Sequence, residues 1–441
     1  MFFVLAFIVL LCVVTKRKAL LTPQFGFALC FIPSILFSFL WVNKWGLDLH
    51  IATIAVLTGG VALFFLTSLF MYVTFNAVAP SKGEEIPAFR SIRMILFPQD
   101  QKIKISSIRL AFFAVIQLAT LLLLMRFIMH YAHTSSLSAA MYQYRVDTAI
   151  ENKASTMPGY LMNLRYLSIA SGYIWGYILC YNFPFKRDDR KNVLLLLFNL
   201  LLSIGNSLIT GSRTSAILTL AAMFIQMYFI TGKRRAWKKI FSPKIMFKLA
   251  ILGLGVVGLF VVSIYVMGRS DSSEVDLMSY FSIYLSAEIK NLDVFIRKGN
   301  FGTDWSDKQT LIYAINYIAP RIGKPELVHE LVVPFRQIHG MSLGNVSTIF
   351  YAYLYDDGYK GLVIYTILMA LITQIMFFAA ERSKCRNKIS FSVVLYSYVY
   401  TTILLSFFSC KFYESVFNIV FIKMILFWIF IIIMMQLKVR R

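Results

Sequence analysis

The sequence predicts an all-α fold: a polytopic helical membrane protein of about eleven transmembrane helices with one long outward loop. Three observations predict it. Hydrophobic residues make up 59% of the 441 residues and charged residues only 15%, with a mean hydropathy of +0.70, whereas soluble domains carry about a quarter charged residues. Apolar runs long enough to cross a bilayer recur along the chain. Lys and Arg gather in alternate short gaps between those runs.

In order, the runs cover residues 1–15, 19–42, 51–75, 110–130, 161–183, 192–209, 214–231, 249–267, 361–380, 391–409 and 415–436. The first lacks a basic leader and a small-residue cleavage site, so it reads as a retained span. Residues 1–267 then form one transmembrane bundle, 268–360 a long, partly helical outer loop, and 361–441 a second bundle. The five cysteines are scattered, with no metal spacing and no disulfide framework.

An odd number of spans puts the termini on opposite sides. With residue 1 outside, the inner segments are 16–18, 76–109, 184–191, 232–248, 381–390 and 437–441. They hold 27 of the 44 Lys and Arg and 6 of the 21 acids, a net +21 against +2 for the remainder. The total of +23 is therefore a topological signal and carries no nucleic-acid message. All five histidines fall outside or at the outer edge, so chemistry is expected on that face.

The short hairpin Gly211-Ser212-Arg213-Thr214 faces the same way. Gly211 permits a tight turn, Ser212 or Thr214 can cap the second helix, and Arg213 lies near a helix N-terminus, where backbone N–H groups already favour anions. Two readings stay open: an anion site, or one Arg reaching lipid phosphate. Arg126 and Arg165, at outward span ends, carry the same two readings, and Lys423 lies inside the last apolar run. Residues 141–153 form an expected amphipathic surface helix.

In the outer loop, residues 278–299 read as a helix in which Tyr280, Tyr284 and Glu288 share one face. Aromatic rings with a carboxylate suit a sugar, and core packing explains the rings equally well. Asp293 and Arg297, four residues apart, read as an ordinary surface pair. Arg269, Arg321, Lys324 and Arg336 join Arg213 on the outer side as a diphosphate cradle, a cluster that anionic headgroups would also attract. His339 is the best-placed general base, with a structural role equally open. Asp356 and Asp357 precede Gly358 in an expected turn, where Asp serves the backbone; a divalent metal is the minor alternative.

Three stretches, NSLITGSRTSAI (206–217), YLSAEIKNLDVF (284–295) and GNVSTIFYAYLYDDGYKGLV (344–363), resemble in order and topology the bacterial O-antigen and oligosaccharide repeat-unit polymerases of the Wzy type. Asp357-Gly358-Tyr359 stands where that family more often has Asp-Phe-Gly. The resemblance implies a GT-C-like membrane glycosyltransferase of the bacterial inner membrane, with its N-terminus and active face periplasmic and its C-terminus cytoplasmic. It implies transfer of a growing glycan from undecaprenyl diphosphate to a sugar hydroxyl of a lipid-linked repeat unit. Arg213, Arg269, Arg321 and Arg336 would then hold the diphosphate, His339 or Glu288 take the proton, and Tyr280 and Tyr284 contact the glycan. No P-loop or dinucleotide fingerprint occurs, and no cofactor or metal is expected. Expected partners are the lipid-linked oligosaccharide, membrane lipids and a chain-length regulator. The rivals are an O-antigen ligase, a flippase for lipid-linked sugars and an acyl- or phosphoglycerol-transferase modifying surface glycans.

A cysteine replacing Trp305 is expected to react with an impermeant maleimide added outside intact cells. Reaction only after the cytosolic face is opened would invert the topology.

Overall fold

The computed structural model describes residues 19–40, 42–78, 102–150, 157–182, 190–211, 213–234, 277–331, 335–338, 340–383 and 387–437, with residues 5, 6, 8, 9 and 258. The described residues are mainly helical. The helices are Pro23–Leu40 (α1), Ile51–Val78 (α2), Ser107–Tyr131 (α3), Leu137–Arg145 (α4), Gly159–Asn182 (α5), Arg190–Leu208 (α6), Thr214–Arg234 (α7), Leu277–Lys298 (α8), Ile312–Ile318 (α9), Ile349–Arg382 (α10), Phe391–Leu404 (α11), Lys411–Val416 (α12) and Ile419–Gln436 (α13). Among the described residues, seven (α1, α2, α3, α6, α7, α10 and α13) are long and apolar enough to cross a membrane. Helices α5 and α11 also stand where spans are expected, while 1–15 and 249–267 lie almost wholly outside the described residues. These apolar helices make the chain an all-α, membrane-embedded protein. One antiparallel hairpin, Arg336–Ile338 (β1) with Met341–Gly344 (β2), departs from the helical expectation.

The chain divides into two compact units, each assembled from separate stretches. The first comprises Met1–Ser81, Val275–Ala379 and Val399–Phe421. Helix α8 lies along α1, and α1 packs against α2. Phe27 stacks on Phe64 at 4.3 Å between ring centroids, and Phe31 on Phe350 at 5.6 Å.

Polar residues of α8 fasten this packing. Asp293, expected at the surface with Arg297, is fully buried. It does accept from Arg297 Nε at 2.8 Å, but it also accepts from the backbone N–H of His50 and the hydroxyl of Thr53, both at 2.8 Å. Those donors open α2, so Asp293 is a helix cap supplied by a different helix. Spacing within α8 reveals the Arg297 partner; the α2 terminus arrives only through tertiary packing. Lys290 donates to Gly46 O at 2.6 Å, and Asn291 Nδ2 to Val346 O at 2.7 Å.

Helix α10 begins twelve residues before the expected span at 361–380, because residues 349–356 are already helical. It breaks at the expected turn: Asp357 leaves helical geometry, and Gly358 takes φ +61°, ψ −144°, open only to glycine. Carbonyls released by the break are reused. Tyr355 O accepts from Gly302 N at 3.1 Å, and Asp356 O from Thr303 N at 3.0 Å.

The second unit comprises Lys82–Glu274, Ala380–Tyr398 and Ile422–Arg441. Gln117 Nε2 on α3 donates to Asn199 Oδ1 on α6 at 2.8 Å; Asn199 Nδ2 donates to Leu110 O at 3.1 Å and Asn206 Nδ2 to Gln117 O at 3.0 Å. Asn199 and Asn206 lie seven residues apart on one face, so α3 and α6 are joined by hydrogen bonds where apolar contact adds little. Gln226 on α7 donates to Tyr173 O at 3.2 Å, and Trp428 Nε1 on α13 to Ala170 O at 3.0 Å.

Asp293→Ala removes two bonds at the start of α2 and the Arg297 pair within α8, and is expected to destabilise the protein by about 2 kcal/mol. Asp293→Asn should cost less, since it keeps an acceptor. Thermal unfolding in detergent checks both; equal melting temperatures for wild type and Asp293→Ala would refute the capping role.

Candidate functional site

Two groups of side chains carry chemistry, one within each unit. In the second unit the group is built on the turn between α6 and α7. Gly211 sits at φ +70°, and a Cβ there would lie 2.7 Å from Met141 O and 2.8 Å from Arg145 Cβ. The residue is therefore required twice over, by conformation and by contact. Arg213 follows, buried, its carbonyl accepting from Ile217 N at 3.0 Å, which places it at the N-cap of α7.

Two further arginines meet this turn. The stem of Arg145, at the end of α4, packs against Gly211. Arg165 on α5 donates from Nε to Asn206 O at 3.3 Å and from Nη2 to Thr210 Oγ1 at 2.8 Å. Its guanidinium is thus held by protein, an arrangement that neither the lipid nor the substrate reading of the sequence describes. After the fourth expected span comes α4, which starts four residues before the expected surface helix at 141–153 and ends at Arg145; its residues Ala140, Met141 and Tyr144 pack on Leu124, Ile128, Leu161 and Ile209. Lys423 on α13 donates to Asn163 Oδ1 on α5 at 2.9 Å. Three arginines from three elements thus border one turn at the start of a 21-residue helix, where the helix N-terminus itself favours an anion.

In the first unit, Glu288 is fully buried on α8, facing α1, with Ser34 Oγ donating to Oε1. Its Oε2 has no partner among the described residues. Burial pushes the carboxyl up to about 8, with the Ser34 bond opposing. The flanking residues on this face also point inward: Tyr284 stacks on Phe408 at 5.8 Å, and Asn291 bonds Val346. The face expected to meet sugar is a packing face at Tyr284 and Glu288.

Two further residues of the expected cradle, Arg336 and Arg321, lie in the first unit. Arg336 on β1 donates to Asn291 O at 2.8 Å, and burial lowers its basicity. Arg321 is exposed, lies 3.6 Å from the Tyr317 ring centroid and donates to Tyr317 O one turn back. Both serve backbone carbonyls. Arg269, His339 and the side chain of Tyr280 lie outside the described residues.

A network that the sequence does not announce surrounds the break in α10. Asp356, buried, accepts from Gln309 N at 2.7 Å and Thr310 N at 2.8 Å. Asp357 accepts from Lys308 Nζ at 2.6 Å and Tyr365 OH at 2.9 Å. His329 holds the next segment, its Nε2 2.7 Å from Lys308 O and its Nδ1 2.8 Å from Leu327 O. The backbone purpose read for the adjacent aspartates describes Asp356; Asp357 serves side chains. The local signal was the Asp-Asp-Gly string; apart from Tyr365 and Leu327, the partners lie 21 to 49 residues away and leave no trace in spacing.

Comparison with known proteins gives no match: no family model, curated protein or solved structure matches the chain.

For Glu288 the folded state holds its proton to about pH 8, whereas the unfolded chain releases it near 4.5. Between those values folding therefore loses stability as pH rises, in total by on the order of a few kcal/mol. Thermal unfolding across pH 5–8 is expected to show a decline that Glu288→Gln flattens; parallel curves would place the carboxylate in contact with solvent.

Proposed function

We propose that the protein is a membrane glycosyltransferase of the repeat-unit polymerase kind. It moves a growing glycan from undecaprenyl diphosphate to a sugar hydroxyl of a lipid-linked repeat unit. The observation that supports this reading most is the turn at Gly211, where Arg145, Arg165 and Arg213 converge beside the N-terminus of α7.

The chemistry follows from the leaving group. Cleavage of the anomeric C–O bond leaves both bonding electrons on the diphosphate oxygen, so negative charge grows there in the transition state. Fixed guanidinium groups and oriented N–H donors stabilise that charge more than the ground state. The acceptor hydroxyl forms the new C–O bond and gives up its proton; His339 is the first candidate to take it. Glu288 is second, because a carboxyl enclosed beside Ser34 must first be reached by substrate. A donor already activated by diphosphate suits a compartment without ATP.

In this reading the chain crosses the bacterial inner membrane eleven times in a GT-C-like arrangement, N-terminus and active face periplasmic, C-terminus cytoplasmic. Lipid-facing helix surfaces hold the undecaprenyl tails, and a separate regulator sets chain length.

The test is purified protein in nanodiscs, given only lipid-linked repeat units. A ladder of longer glycans is expected. Arg213→Ala should lower its rate at least about 100-fold, and Arg165→Ala should lower it less, while both variants stay folded. A strict need for core oligosaccharide would replace the proposal with a ligase. Lipid flipping without any heavier product would replace it with a transporter.

A further inference from the structure

Residues 299–311 form a loop fixed at both ends to the broken helix α10. Gly302 and Thr303 donate to Tyr355 O and Asp356 O, and the Asp356 carboxylate holds Gln309 N and Thr310 N. A loop tied down by four bonds nevertheless leaves its indole outside: Trp305 is 61% exposed. Beneath it Lys308, only 7% exposed, sets its Nζ 4.8 Å from the Trp305 ring centroid and 2.6 Å from Asp357 Oδ1. Asp357 also accepts from Tyr365. Two residues further, Tyr359 is 50% exposed, braced edge-on by Phe301 at 5.5 Å.

Rings held rigidly toward solvent are preorganised for a flat apolar partner. The charges narrow the choice. Asp304, Asp307 and Asp357 stand with Lys308 about the Trp305 turn, and the exposed Lys360 follows Tyr359, so the acids of the patch outnumber its cations by one. An anionic bilayer surface, a phosphate or a nucleic acid is repelled by that field. Hydrocarbon would have to strip water from three carboxylates. A sugar ring meets both demands: its C–H face stacks on indole while its hydroxyls donate to carboxylates.

We infer that Trp305, Lys308, Asp357 and Tyr359 form a saccharide-binding shelf selective for neutral or amino sugars over uronic acids. The choice of ligand rests on the glycan-transfer reading above; the geometry of the shelf does not. The shelf orients glycan during transfer and makes no covalent step of its own.

The test is fluorescence anisotropy with the full chain in nanodiscs and three fluorescein-labelled oligosaccharide series, built on glucose, glucosamine and glucuronic acid. The first two are expected to bind and the third to bind at least about tenfold more weakly. Trp305→Ala should weaken binding about tenfold and Trp305→Phe much less, because a ring remains. Asp357→Asn should let the glucuronic series gain. Wild-type affinity in Trp305→Ala, no binding of any series, or unchanged selectivity in Asp357→Asn would each overturn the shelf. So would quenching by brominated lipid of a bimane attached at Trp305→Cys, which would mark a membrane anchor. Trp305-dependent binding without polymer formation would keep the shelf and remove the transferase; polymer formation with Trp305-independent binding would do the reverse.

Discussion

Polar groups enclosed among apolar helices must find partners inside the protein, and that requirement governs this molecule. Burying one without a partner costs more than a single helix contact returns. Two buried carboxylates meet it in the same way. Asp293 holds the first donors of α2, and Asp356 holds two backbone N–H groups of the loop before α9. Each fixes a connecting segment to a helix distant in sequence. In the second unit, amides take over the task, with Gln117, Asn199 and Asn206 joining α3 to α6.

That requirement also sorts the cations. Guanidinium and ammonium groups that look interchangeable by position are used very differently. Arg336, Arg321 and Lys290 donate to main-chain carbonyls, and Arg297 pairs with the Asp293 cap. Arg165 braces the end of α6, and with Arg145 and Arg213 it gives the Gly211 turn a concentration of positive charge supported by rigid helices. Under the glycan-transfer proposal, a fixed field of this kind would need little rearrangement as charge develops on the leaving group.

The break in α10 shows how one local feature organises its surroundings. Gly358 lets the chain leave helical geometry, and the released carbonyls bind loop 299–311 in place of the next turn. Asp356 then points inward to that loop, while Asp357 points to Lys308 and Tyr365. Adjacent identical residues thus acquire opposite duties, one holding backbone and the other lining an accessible surface.

The sequence by itself determined the membrane class, the position of most helices, the Gly211 turn and the break near Gly358. Those features depend on hydropathy over some twenty residues or on the conformational freedom of glycine, both local properties. It also placed Asp293 beside Arg297, because four residues is one helical turn. Tertiary structure decided the burial of Asp293, the enclosure of Glu288 beside Ser34, the turning inward of Tyr284 and the arrival of Arg145 and Arg165 at the Gly211 turn. Each of these joins residues 41 to 254 positions apart, with Arg165 and Asn206 at the near end and Ser34 and Glu288 at the far end. Periodicity describes which face of a helix a residue occupies; what covers that face depends on which other helix packs there, and no property of the face alone names its neighbour.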